Sequence, residues 1–81
     1  MMEQQRVTSS NIDMVGHDGT SLFIRFVKGK CYQYLDCPHQ IYHSLVRSES
    51  AGKFFHQFVK EKYASAALDY DPFVEGLRRA A

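Results

Sequence analysis

The chain has 81 residues, of which 44% are hydrophobic and 23% charged, with a formal net charge of +1. That length limits it to one small domain with a modest core, and the composition excludes a disordered chain. The charge excludes the broad basic excess of a strongly cationic nucleic-acid binder, so any such role must rest on a local patch.

No window approaches the ~20 apolar residues that cross a bilayer, which argues against a membrane partner. The opening MMEQQR lacks the apolar run of a secretory signal. Cys31 and Cys37 are the only thiols. On one strand they would stand about 20 Å apart at ~3.3 Å per residue, too far for a disulfide. Reduced thiols and a cytoplasmic location are the expectation.

The first element is a strand over Ile12–His17, "IDMVGH". Asp18-Gly19 then turns the chain. In "TSLFIRFV" Leu22, Ile24 and Phe26 alternate with Phe23, Arg25 and Val27, the two faces of a second strand. Lys28-Gly29 is the next turn, and "KCYQYL" returns as a third strand. After Pro38 the period changes. Ile41, Tyr42, Leu45 and Val46 recur at helical spacing, with proline suited to the helix start. A break at Ser48–Gly52 supplies a serine N-cap for a second helix. Its apolar face holds Ala51, Phe54, Phe55, Phe58, Val59 and Tyr63. In the tail, Asp71-Pro72 is a plausible helix start, with Arg78 and Arg79 placed to suit the helix dipole. The expected fold is α+β, a three-stranded antiparallel meander followed by two helices on one face. The domain spans residues 6–66 and the tail 67–81, the latter with room for a short helix.

Two hairpin registers are open, and they send Tyr32 and Tyr34 to opposite faces. A two-residue Lys28-Gly29 loop pairs Ile24 with Gln33. A type I turn through Val27 and Lys28, with Gly29 in a bulge, pairs Ile24 with Tyr32 and Leu22 with Tyr34. One residue of slip exchanges every side chain between faces. The bulged register gathers Leu22, Ile24, Phe26, Tyr32 and Tyr34 on one side and is the one expected. The tyrosines then belong to the core, with hydroxyls at its rim or on a polar partner. The alternative is an open stacking platform for RNA bases.

"VTSSNIDMVGHD", "LFIRF", "GKCYQYLDCP", "IYHSL" and "SAGKFFHQFVKEKY", in that order, resemble a KTSC domain. The resemblance runs from about Val7 to Tyr63. It rests on Tyr32-x-Tyr34 with Ser9-Ser10-x-Ile12 and Gly52-x-Phe54-Phe55. It implies the kind of domain found at the C-terminus of some lysyl-tRNA synthetases and as small stand-alone bacterial proteins. The activity of such domains is not established, and the synthetase context suggests RNA. This chain departs from the family at His17, where Tyr is frequent, at Cys37, where Val is, and in a less basic second helix.

A nucleic-acid contact would draw on Lys53, His56 and Lys60, which share the polar face of the second helix at i, i+3 and i+7. Lys28 and Lys30 beside the hairpin turn, and Arg25 on the sheet, would extend it. A solvated helix face is the plainer account of these residues, since Glu49 and Glu61 dilute the charge. Ser9 and Ser10, with Asn11, suit a local side-chain-to-backbone turn, or else a small polar site. Cys37, His39 and His43 have the spacing C-x-H-x-x-x-H, but three ligands without a fourth make a poor zinc site, and solvent-facing histidines are the expectation. Cys37 near a helix start could carry a depressed pKa with a histidine as base, but so small a domain offers little enclosed pocket. No catalytic set, metal or cofactor is expected. A binding domain is, with RNA as partner, or alternatively a protein partner or second copy through an apolar sheet edge or through Tyr70, Phe73, Val74 and Leu77 of the tail.

Overall fold

The fold is that of a computed structural model, and the structure describes residues 2–73. Five strands form one antiparallel sheet in chain order: β1 Glu3–Arg6, β2 Ile12–His17, β3 Leu22–Phe26, β4 Cys31–Tyr34 and β5 Ser65–Leu68. Helices α1 His39–Arg47 and α2 Ala51–Phe58 stand between β4 and β5. The expected meander is its centre, β2 to β4, and a strand is added at each edge. That corrects the count of three to five. Neither outer strand carries a strand-like pattern. β1 is EQQR, joined to β2 through its backbone, and β5 is SAAL, small residues with no β-branched side chain.

The β3–β4 hairpin takes the bulged register, pairing Leu22 with Tyr34 and Ile24 with Tyr32. The Phe26 carbonyl accepts from the Gly29 amide at 2.8 Å, and the Phe26 amide donates to Lys30 O at 2.8 Å. Gly29 sits at φ +102°, the left-handed conformation that closes a type I turn into a bulge and that a Cβ would oppose. A second bulge lies in β2 at Asp13, where the β2–β3 register shifts between Ile12 and Met14. It lets Ile12 and Val15, three apart, face the same way as Ile24 and Leu22.

That face is the core. Ile12, Val15, Leu22, Ile24 and Tyr34 of the sheet pack with Tyr42 and Leu45 of α1 and with Ala51, Phe55 and Val59 of α2 and its end. Both helices therefore cover one face, as expected. The Ser50 side chain caps α2 by accepting from the Lys53 amide at 3.2 Å. Pro38 holds the N-cap position of α1 in an extended conformation, φ −62° and ψ 147°. His17, buried beneath α1, uses both ring nitrogens: Nε2 lies 2.6 Å from Cys37 O and Nδ1 accepts from the Gly19 amide at 3.1 Å. That assigns the proton to Nε2.

The back face carries a smaller cluster of Met14, Phe23 and Phe73, flanked by Met2 and Leu68. Phe73 thus docks on the domain, while Tyr70 is exposed. Of the tail residues noted in the sequence, Val74 and Leu77 lie outside the described residues, as does most of the helix expected after Asp71-Pro72. Residues 67 and 68, assigned above to the tail, are strand residues paired with β4.

Candidate nucleic-acid interface

The bulged hairpin brings the β3–β4 turn alongside the C-terminal half of α2, and an open groove of about 700 Å³ runs between them. Phe26, Tyr32, Tyr34, Phe55 and Tyr63 line it with aromatic surface. Their geometry is edge-to-face: Phe55 meets Phe26 at 5.6 Å and 77°, and Tyr34 at 5.6 Å and 75°, while Phe26 meets Tyr32 at 5.8 Å and 81°. Lys28, Lys30, Lys60 and His56 line the same groove, with Glu61 as the one carboxylate among its described lining residues, and Ser10 and Asn11 also line it. Most of the residues expected to contact a nucleic acid are thus brought together. Lys53 and Ser9 lie in an adjoining polar depression with Ser50 and Glu49, and Ser10 and His56 line both.

Arg25 does not join them. On β3 it alternates with Ile24 and faces the back of the sheet, where Nη2 binds Asp13 Oδ2 at 2.6 Å and Nη1 binds Asp71 Oδ2 at 2.8 Å. Its guanidinium also lies 5.7 Å from the centre of the Phe73 ring. Arg25 ties the tail to the sheet.

Tyr32 and Tyr34 are not an open platform, because α2 covers their face. Tyr34 is buried and Tyr32 half-buried. Neither hydroxyl has a hydrogen-bond partner among the described residues, and both side chains line the groove. Burial first, and then the neighbouring Tyr32, push the Tyr34 phenol up to about 12, which keeps it a neutral donor. Lys60 is positioned by the end of α2, where the Phe55 carbonyl accepts from both the Val59 and Lys60 amides, at 2.9 and 2.8 Å. Glu61 follows at φ +66°.

Ser9 behaves as a turn residue, its Oγ accepting from the Asn11 amide at 3.1 Å and the Ile12 amide at 3.2 Å. The Cys37 thiol does not carry the depressed pKa weighed for it as an alternative. It is wholly buried, and burial pushes it up to about 11 against a weaker opposing hydrogen bond with Tyr63. Burial thus favours the protonated thiol, the opposite of the shift a reactive cysteine uses. His39 pairs with Glu3 at 2.7 Å and stacks loosely with His43, ring centres 6.0 Å apart. Among the described residues no group of His, Cys, Asp or Glu side chains converges as a metal site would require. Nor is any helix among them long and apolar enough to cross a membrane.

Comparison with known proteins decides the family. The KTSC domain model matches residues 8–63. The chain belongs to the KTSC domain family. A protein of Tsukamurella paurometabola is 35% identical over 66 residues, covering 79% of this chain and 98% of that one. The crystal structure of a KTSC domain protein from Yersinia pestis superposes with a TM-score of 0.77 at 32% identity, covering 84% of this chain and 99% of that one. These matches give no support to the synthetase association that the resemblance implied. The KTSC match takes in the hairpin, both helices and nearly all of the groove. It leaves out β1, β5 and Phe73.

The aromatic lining was only partly evident beforehand. Phe26, Phe55 and Tyr63 were placed in the core by their spacing, but their edges also form the groove, which depends on how α2 crosses the hairpin. Periodicity carries no signal for that crossing.

Proposed function

We propose that this KTSC domain is a non-enzymatic binding module that takes single-stranded RNA in the groove between α2 and the β3–β4 hairpin. The observation that supports the reading is the convergence of three lysines and five aromatic rings on one groove of about 700 Å³. Aromatic surface suits the face of an unpaired base, whereas the lysines suit phosphates. The hydroxyls of Tyr32 and Tyr34, unpartnered among the described residues, suit the polar edge of a base or sugar. Catalysis is left out of the proposal because the one candidate nucleophile, Cys37, is buried and holds its proton tightly. Two buried free thiols fit a cytoplasmic setting.

The test is fluorescence anisotropy of a short mixed-sequence RNA pool, at low and at physiological salt. Binding should weaken steeply with salt as phosphate-bound counterions are displaced. Lys28→Glu with Lys60→Glu should abolish it. Tyr34→Phe should weaken it about fivefold, the loss of one hydrogen bond of ~1 kcal/mol. Arg25→Gln, on the other face, should leave affinity unchanged once folding is verified. No binding at low salt, or binding indifferent to the lysine reversals, would reject the groove.

A further inference from the structure

The two edges of the sheet are guarded differently. β1 ends in Glu3 and Arg6, whereas β5 reads Ser65-Ala66-Ala67-Leu68, without charge, proline or bulge, and its first three residues are exposed. Sheet edges normally carry such guards, because an open row of backbone groups invites another strand. The outward-facing groups follow from the register. The Leu35 amide donates to the Ala64 carbonyl at 2.8 Å, continuing the β4–β5 alignment by one pair. Hydrogen-bonded pairs alternate in an antiparallel ladder, so Gln33–Ala66 and Cys31–Leu68 are the next such pairs. Ser65 and Ala67 consequently point N–H and C=O away from β4.

We propose that β5 pairs antiparallel with β5 of a second copy of this chain, about a two-fold axis at Ala66. This rests on the edge and not on the groove. That axis sets Ser65 opposite the partner's Ala67 and Ala67 opposite the partner's Ser65, and each pair exchanges two backbone hydrogen bonds. An axis at Ala67 would instead recruit Asp69, which lies beyond the strand. On the back face the axis sets Ala66 against the partner's Ala66, and Ala64 against the partner's Leu68. Small side chains suit such non-bonded pairs, whose Cα atoms approach to about 4.5 Å. Lys62 precedes the strand and Asp69 follows it, so the antiparallel arrangement brings each lysine near the partner's aspartate, twice by symmetry. A parallel arrangement would set like charge beside like.

The experiment is sedimentation of the full chain across a concentration series, with Ala66→Lys, Ala66→Glu and their mixture. Wild-type mass should rise from monomer to dimer. Each variant alone should stay monomeric, since like charges then face each other across the axis. The equimolar mixture should recover the dimer. Hydrogen exchange on the wild-type chain gives a readout free of folding artefacts: the Ser65 and Ala67 amides should slow as concentration rises, while Ala66, already bonded to β4, should not. A wild-type monomer at every concentration would overturn the proposal, leaving the edge to a strand from another protein. So would a dimer that survives either single variant, or a mixture that stays monomeric.

Discussion

Tyr34 joins packing to chemistry at the level of one side chain. Burial raises its phenol from an ordinary 10.0 to about 12, and the Cys37 thiol from 9.0 to about 11. Both groups hold their proton more tightly folded than unfolded. Both therefore stabilise the fold below the unfolded values and lose that contribution as pH rises through the folded ones. Melting followed by circular dichroism should show stability falling from about pH 9 to 11 through Cys37, and from about pH 10 to 12 through Tyr34. Tyr34→Phe should shrink the upper stage without removing it, because Tyr42 and Tyr63 are shifted the same way. An upper stage of unchanged size would mean that the phenol is not buried as described. Alternation placed Tyr34 and Tyr32 on the core side once the hairpin register was chosen, so their location was legible. The face of Arg25 was legible too, since it was read on the reverse side with Phe23, but it was also counted with the lysines of the patch, which it does not join. What the pattern lacked was the pair of aspartates, one from the β2 bulge and one from the tail, that hold it there. Neither a bulge nor a tail path leaves a mark in hydrophobic spacing.

Among the elements, the hairpin depends on its glycine and α2 does not. Gly29 occupies a left-handed conformation, so Gly29→Ala should cost about 1 kcal/mol through backbone strain. Gly52 lies in the first turn of α2 with ordinary backbone, and an added Cβ would meet the Ser9 Oγ at an unremarkable 3.6 Å. Gly52→Ala should stabilise by about 0.5 kcal/mol through helix propensity. Chemical denaturation of the two variants reads both signs, and a destabilising Gly52→Ala would show that the groove end is tighter than its distances indicate. Elements with internal period were legible: three strands and α1 have bounds close to those expected, whereas α2 stops at Phe58, short of the Tyr63 expected on its apolar face, and leaves Phe58 itself exposed. β1 and β5 were not, because an edge strand needs backbone partners more than side-chain pattern, and those partners come from the finished sheet.

For the whole molecule, the two faces of the sheet are covered by different means. Helices seal the front, whereas the chain after β5 seals the back with Phe73, pinned by the Arg25–Asp71 ion pair. An added Cβ on Gly16 would come within 3.0 Å of the Phe73 ring and of Glu3 O, which shows how closely the tail lies on β2. Phe73→Ala should cost about 3 kcal/mol and expose Met14 and Phe23, read by the melting midpoint and by binding of a hydrophobic dye. A midpoint unchanged by that substitution would mean the back face does not need its cover. The strand order has a further consequence for the protein while it is being made. β1 to β4 pair each with the next and can assemble as they emerge, but β5 follows only after both helices. A chain still on the ribosome therefore shows β4 as a bare edge and the Met14–Phe23 patch without Leu68 or Phe73. Prematurely terminated products, more than the finished protein, are the species that chaperones and proteases should have to clear.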